Sequence, residues 1–355
     1  MKRIVLTGGG TAGHVTPHLA LLPHLLKNGY EVHYIGSKAG VERDLMSLPG
    51  ITYYGVSTGK LRRYVDWKNL TDPFRVLAGA FSSVRLIRKI KPDVCFSKGG
   101  FVSVPVVFAA WLNRVPVLCH ESDLTPGLAN RIALRFAKKV ATTFPECAAL
   151  LGKKGVLTGT PLRPELFSGS REQGLAMTGF SGKRPILLMM GGSSGAQSVN
   201  AVLRQALPRL TQHMDVLHLC GRNNRAPELD GLPGYWQAEF LSDDLPHALA
   251  CADMVLSRAG ANALCEFQAL KLPMLLVPYP KGASRGDQLL NAESYRQRGL
   301  AHVLLQENLT EDSLVSALDA LGRDAPRLRQ ALADAPAADG TQAVLALIES
   351  IQHKE

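Results

Sequence analysis

The stretch Arg3-Ile4-Val5-Leu6-Thr7-Gly8-Gly9-Gly10-Thr11-Ala12-Gly13-His14 decides how the chain begins to fold. Its first five residues are mostly apolar, as in a parallel strand buried on both faces. The glycines give a tight turn, and the helix after them carries Val15, Leu19, Leu22 and Leu25 or Leu26 on one face. Strand, glycine turn and helix open a βαβ unit. Working outward, residues 31–35 read as the next strand. Residues 92–97 form another, ending in Lys98-Gly99-Gly100, and residues 115–119 a further one, ending in His120-Glu121.

About 180 residues on, the opening pattern returns. Residues 185–190 are a strand, Gly191-Gly192-Ser193-Ser194-Gly195-Ala196 a glycine turn, and Val199, Val202 and Leu203 the apolar face of a helix. Strands at 216–219, 254–257 and 274–277 follow. This repeat predicts an α/β chain of two Rossmann-like, doubly wound parallel-sheet domains. The first covers residues 1–160 and the second 161–340, with the helix at 340–352 returning to the first. Gly159-Thr160-Pro161-Leu162-Arg163-Pro164 and the polar stretch to Arg184 read as the linker. Ligands of such sheets bind beyond the carboxyl ends of the strands, so two facing domains would enclose a deep cleft lined by these loops.

Composition narrows the possibilities. With 355 residues, 46% of them hydrophobic and 20% charged, the chain suits two domains without disulfide or metal staples. Its six cysteines form no C-x-x-C pair or zinc-like cluster and read as reduced, buried thiols. Lys2 and Arg3 precede too short an apolar run for a signal peptide. The apolar stretch 102–112 is too short to span a bilayer and contains Pro105. If the protein meets a membrane, it lies on it. Residues 1–160 hold 22 Lys and Arg against 9 Asp and Glu, a net +13; residues 161–355 hold 18 against 21, a net −3. The basic half points to an anionic surface or a diphosphate rather than nucleic acid, for which no binding motif is present.

The chemistry sits on the strand ends. Gly8 to His14 offers backbone N–H groups and a helix N-terminus to an anion, or is simply a tight connection. Gly36-Ser37-Lys38 stands where a dinucleotide fold needs an acidic residue, which argues against a nicotinamide cofactor. His14 is either a general base or a polar cap. His120-Glu121-Ser122-Asp123 supplies groups for sugar hydroxyls, for orienting His14 or for base chemistry, with Ser122 or Asp123 also able to cap a helix. The second glycine turn would cradle a phosphate with backbone N–H groups and a serine hydroxyl. In Ser257-Arg258-Ala259-Gly260-Ala261-Asn262-Ala263-Leu264-Cys265-Glu266, small residues admit a close backbone approach and Glu266 can accept two ribose hydroxyls. Asp287, Gln288 and Asn291 suit sugar recognition. No Asp-x-Asp or carboxylate triad predicts a metal, so helix N-termini, with Arg163 or Arg258, would neutralise a leaving diphosphate. Phe74, Leu77, Phe81 and Trp111, framed by Lys and Arg, suit docking on an anionic interface or ordinary helix packing.

In order and spacing, these motifs resemble the MurG family over nearly the whole chain. The carriers are Gly8 to His14, residues 98–103, His120-Glu121, Pro126-Gly127-Leu128-Ala129-Asn130, residues 159–163, residues 191–196, Asn200, residues 257–266, and Asp287-Gln288 with Asn291. The resemblance implies a GT-B fold and inverting, metal-independent transfer of N-acetylglucosamine from UDP-N-acetylglucosamine. The acceptor implied is lipid I, undecaprenyl-diphosphate-MurNAc-pentapeptide, glycosylated at the muramyl C4 hydroxyl to give lipid II. It implies no cofactor, and a peripheral place on the cytoplasmic face of the cell membrane.

By the same resemblance, His14 and Glu121 are catalytic, and Thr11, Ala12 and Gly13 hold the acceptor diphosphate. Asp123 and Asn130 lie near the sugar, Arg163 at the site's edge, and Ser194 on the α-phosphate. Phe240 and Leu241 lie near uracil, Ala263, Leu264 and Glu266 at the ribose, and Asp287 and Gln288 at the sugar hydroxyls. The chain departs from the common family pattern at Ser122-Asp123, Ser194 and Asp287. A diacylglycerol glycosyltransferase, a UDP-N-acetylglucosamine 2-epimerase and a non-catalytic UDP-sugar-binding paralogue are the rival readings.

Overall fold

A computed structural model gives the fold and describes residues 2–57, 68–192, 195–282, 286–336 and 338–352, with only the backbone for residues 12 and 68–77. The chain forms two compact units, Met1–Arg163 with Ala338–Glu355, and Pro164–Ala337. Each is a parallel sheet wound in both directions, as the internal repeat predicts.

The first unit runs β1 (Lys2–Gly8), α1 (Thr16–Lys27), β2 (Tyr30–Ser37), α2 (Val41–Leu45), β3 (Ile51–Val56), α3 (Lys68–Ile90), β4 (Val94–Gly99), α4 (Ser103–Leu112), β5 (Val117–Glu121), α5 (Leu128–Ala133), β6 (Lys139–Thr142), α6 (Pro145–Leu151) and β7 (Gly155–Leu157). Its strand order is β3-β2-β1-β4-β5-β6-β7. Central strands β1, β4 and β5 are buried almost throughout, which is why each carries an apolar run, Ile4-Val5-Leu6, Val94-Cys95-Phe96 and Val117-Leu118-Cys119. Edge strand β3 is largely half-exposed, and β7 has only three residues; neither leaves that apolar signature.

The second unit runs α7 (Arg171–Thr178), β8 (Ile186–Met190), α8 (Gln197–Leu210), β9 (Asp215–Leu219), β10 (Tyr235–Ala238), α9 (Leu245–Cys251), β11 (Met254–Ser257), α10 (Ala261–Ala269), β12 (Met274–Leu276), α11 (Asp287–Gln297), β13 (His302–Val303) and α12 (Glu311–Asp334). Its order is β10-β9-β8-β11-β12-β13. Leu318, Leu321 and Leu328 of α12 pack with Leu203 and Leu207 of α8 and with Leu187 and Leu256 of the sheet. The polar stretch before Arg184 is not the linker that composition implies. It holds α7, capped by the Ser170 hydroxyl, which accepts the Gln173 N–H.

The last helix, α13 (Thr341–Gln352), belongs to the first unit. Val344, Leu345, Ile348 and Ile351 are buried with Ile4, Leu6, Val15 and Leu21. The returning chain is pinned by backbone bonds from Thr160 N to Ala338 O (3.1 Å) and from Gly340 N to Thr160 O (2.9 Å). Gln352 Nε2 closes the far end on Tyr30 Oη at 2.7 Å.

Because Ile348 is fully buried in that cluster, Ile348→Ala should cost about 2–5 kcal/mol. Hydrogen exchange in urea should place the loss in the first unit and leave the second unit's protection unchanged.

Candidate functional site

In each unit the strand order reverses beside the first strand, at β1/β4 and at β8/β11. Helices leave such a point toward opposite faces, so the strand ends stay open to a ligand. The glycine turns follow β1 and β8.

The first glycine turn rests on a buried carboxylate. Glu42, 1% exposed, accepts the N–H groups of Gly10 (3.2 Å) and Ser37 (3.1 Å). Burial works against its ionisation, but the Ser37 hydroxyl and the backbone N–H groups of Glu42 itself, Gly10 and Ser37 together outweigh burial and hold its pKa below the usual carboxylate value. A Cβ on Gly9 would stand 2.5 Å from the Glu42 carboxyl carbon; one on Gly100, whose φ is +83°, would stand 2.3 Å from the Gly9 carbonyl oxygen. The Gly10 amide is thus committed to Glu42, which shifts any anion contact of this loop toward the 3-10 turn Ala12–His14.

His14 ends that turn, half-buried, with Nδ1 3.1 Å from Thr11 Oγ1. When Nδ1–H donates to this hydroxyl, the Nε2 lone pair can take a proton. One turn on, His18 lies fully buried edge-on to Tyr34 and Phe96. Burial, and then the charges of Lys98 and His14, push its pKa down to about 3, so it stays neutral.

The end of β5 carries a denser group. His120 is fully buried; its Nε2 donates to Gly159 O at 2.9 Å and its Nδ1 lies 2.7 Å from Lys98 Nζ. Burial, and then the Lys98 charge, hold its pKa well below the usual histidine value. Glu121 accepts Asp123 N (3.0 Å) on Oε1, and Gly127 N (3.3 Å) and Asn130 Nδ2 (2.7 Å) on Oε2. Burial raises its pKa, opposed chiefly by the Asn130 bond. Both carboxylate oxygens therefore organise the turn 122–127 that leads into α5.

In the second unit, Gly192 and Gly195 take φ of +88° and +74°. A Cβ on Gly195 would meet Cys220 O at 2.2 Å, so this turn lies directly on the loop after β9. A buried network holds that loop. Asn200 Nδ2 donates to Cys220 O (2.8 Å), and Asn200 Oδ1 meets His218 Nε2 at 3.0 Å. His218 Nδ1 meets Tyr235 Oη at 2.9 Å. Ser257 Oγ donates to Met190 O (2.7 Å) and ties the ends of β8 and β11 together. Arg258 is buried rather than poised at a phosphate: it donates to Val277 O and Ser198 Oγ, each at 2.9 Å, and stacks 4.1 Å over Tyr279. Gln288 Oε1 accepts Tyr279 N (3.2 Å), and Asn291 Nδ2 donates to Ala259 O (3.2 Å).

The candidates from sequence fall as follows. Thr11 and Gly13 are exposed, and of Ala12 only the backbone is described. Asn130 is buried, and Asp123, Glu266, Asp287, Gln288, Ala263 and Leu241 are half-buried. Leu264 is fully buried, so its side chain is unavailable to a ligand. Arg163 is half-buried, with its Nε enclosed and unbonded. Phe240, Phe81 and Trp111 are exposed, Trp111 packing on Phe108 and Phe136. Ser194, and the side chains of Phe74 and Leu77, lie outside the described residues. Sequence reasoning passed over Glu42, and it read Lys98 only as part of a strand end. The one signal for Glu42 was an acidic residue shortly after a second strand that lacks one at its end.

Sequence profiles of glycosyltransferase family 28 match both units, the N-terminal domain over residues 4–142 and the C-terminal domain over residues 186–346. The UDP-N-acetylglucosamine–N-acetylmuramyl-(pentapeptide) pyrophosphoryl-undecaprenol N-acetylglucosamine transferase 2 of Bacillus cereus is 51% identical over 352 residues, 99% of each chain. The transferase of that name from Geobacillus kaustophilus is 52% identical over 350 residues, 98% of each chain. The crystal structure of Acinetobacter baumannii MurG superposes with a TM-score of 0.78 at 26% identity, covering 99% of this chain and 100% of that one.

Gly192 and Gly195 separate conformation from contact, since a Cβ on Gly192 meets nothing within 4 Å. Gly192→Ala should cost about 1–2 kcal/mol from the positive φ alone. Gly195→Ala should cost more than about 3 kcal/mol, because conformational strain and a backbone clash add. Urea unfolding of the two variants checks the order.

Proposed function

The chain belongs to glycosyltransferase family 28, and from that premise we propose that it transfers N-acetylglucosamine from UDP-N-acetylglucosamine to lipid I, forming lipid II for peptidoglycan synthesis. The observation that carries this reading is identity of about half, sustained over 98–99% of both chains, with transferases of that name. The glycine turns at both strand-order reversals support it, because each sets a helix N-terminus where a diphosphate is best stabilised.

The second unit takes the donor. The N-termini of α8 and α10 face the diphosphate, and by its place in the glycine motif Ser194 is assigned to the α-phosphate. Glu266 accepts the ribose hydroxyls beside Ala263 and the backbone of Leu264. Phe240 and Leu241 cover uracil, and Asp287 and Gln288 read the sugar. In the first unit, the Ala12–Gly13 amides and Thr11 take the acceptor diphosphate. His14 Nε2 accepts the proton of the C4 hydroxyl as that oxygen attacks C1. The C1–O bond to UDP breaks on the opposite side, and the configuration inverts. Glu121 holds Asp123 and Asn130 in place around it.

Helix N-termini carry the leaving-group charge; among the described residues no three His, Cys, Asp or Glu side chains are grouped as metal ligands. Among them too, no helix is long and apolar enough to cross a membrane. Exposed Phe81 and Trp111, with Phe74 and Leu77, dock the basic first unit on the anionic cytoplasmic face of the cell membrane, where the lipid acceptor resides.

Purified protein, UDP-N-acetylglucosamine and lipid I should yield lipid II at a rate EDTA does not change. Release of free UDP-N-acetylmannosamine without lipid II would mark an epimerase and sink the proposal. His14→Ala should lower kcat by about 10²–10⁴-fold with little change in donor affinity. Glu266→Ala should weaken the donor by about 1–3 kcal/mol and largely spare kcat. Steady-state kinetics with each substrate varied separates the two effects.

A further inference from the structure

Lys98 is 2% exposed, an unusual place for a lysine. The register between β1 and β4 explains how it gets there. Thr7 pairs with Ser97, but Gly8 pairs with Gly99, so Lys98 is the extra residue of an irregular step. Such a step re-aims a side chain at the end of a strand. Here it turns the ammonium into the sheet end beneath the first glycine turn, where a Cβ on Gly8 would stand 3.3 Å from Lys98 Cβ.

Burying an ammonium costs several kcal/mol unless partners replace its water. Nζ donates to His120 Nδ1 at 2.7 Å and to Ser122 Oγ. Since Nδ1 accepts, the His120 proton sits on Nε2, which agrees with its bond to Gly159 O at 2.9 Å. The groups that face Glu121 electrostatically are Lys98 from β4, Asp123 from the following turn, Cys119 on β5 itself and Cys147 from α6. Of these only Lys98 is cationic. Ser122 and Asp123 belong to the same turn, so one ammonium touches or faces each member of the group His120-Glu121-Ser122.

We propose that Lys98 is a positioning residue for glycosyl transfer: its ammonium fixes the His120 tautomer, holds Ser122, and supplies the positive charge that lets buried Glu121 remain the acceptor of Asp123, Gly127 and Asn130. This rests on the transferase reading, and it adds a group that acts through others rather than on the substrate. Loss of the cation leaves the Asn130 and Asp123 N–H bonds alone to oppose burial and the Asp123 charge. Protonated Glu121 accepts fewer N–H bonds, and the turn 122–127 loses its anchor. The sign follows directly: removing a neighbouring positive charge favours the protonated carboxyl, so its titration moves to higher pH.

Lipid II formation by the wild type comes first; its failure would sink the transferase reading and this proposal with it, whereas a result on Lys98 alone touches only this proposal. With that activity in hand, Lys98→Met keeps the chain length and removes the charge. It should lower kcat at pH 7 at least about tenfold and move the acidic limb of the kcat/KM profile to higher pH. No loss, or the same fractional loss at every pH, overturns the proposal, because packing alone gives no shift of the limb. Circular dichroism verifies that the variant folds. If it does not, ring nitrogen NMR of the wild type decides. His120 should keep Nε2 protonated and Nδ1 bare from about pH 5.5 to 8.5, a range in which an ordinary histidine titrates. Protonated Nδ1 anywhere in it overturns the proposal.

Discussion

Where a parallel sheet reverses its strand order, no crossover can cover the carboxyl ends of the two strands that part. In this protein that constraint acts twice, at β1/β4 and at β8/β11. Each time a glycine turn fills the point. At Gly100 and Gly195 a side chain is excluded by contact as well as by dihedral angle. Gly100 lies on the Gly9 carbonyl and Gly195 on the Cys220 carbonyl, so the backbones approach as closely as backbones can. These contacts fix the ends of β1 and β4 against each other, and the turn after β8 against the loop after β9.

Close approach leaves little room for water, and the polar groups nearby answer one another instead. Glu42 satisfies Gly10 and Ser37; Glu121 satisfies Asp123, Gly127 and Asn130; His120 spans Gly159 and Lys98. In the second unit His218 links Asn200 and Tyr235 with both ring nitrogens used. An unpaired buried polar atom costs about 1–3 kcal/mol, so such networks are specific about geometry: a displaced member strands its partners. This gives the loops at the strand ends a rigid base. His14 differs from the buried histidines in being half-buried beside an exposed hydroxyl, the setting a proton acceptor needs.

Much of the fold can be read along the chain because central parallel strands are buried on both faces. Ile4-Val5-Leu6 and Ile186-Leu187-Leu188-Met189 need no partner to be recognised. The presence of two such sheets follows from the repeat of strand, glycine turn and helix. Edge strands β3, β7 and β13 escape notice since one face or one side meets water and a two- or three-residue strand carries no period. Polar composition between Thr160 and Arg184 reads as linker, yet amphipathic α7 needs only a few apolar contacts and a serine cap.

The site divides along the same line. Glycines, His14, Glu121, Glu266 and Gln288 are legible because a strand end followed by a helix start is a local pattern, and the amino-acid sequence by itself determines both the α/β class and the places where chemistry can sit. What only the tertiary structure decides is partnership. Glu42 lies 32 residues from Gly10, and Lys98 lies 22 from His120 and 24 from Ser122. No spacing rule connects them, because each contact joins segments at the ends of strands that are neighbours in the sheet and distant in the chain. Arg258 shows the converse: from its motif it suits a phosphate, but packing turns it inward onto Tyr279, Val277 and Ser198. Burial is a property of the whole sheet, and it alone settles which charges must find a partner inside the protein.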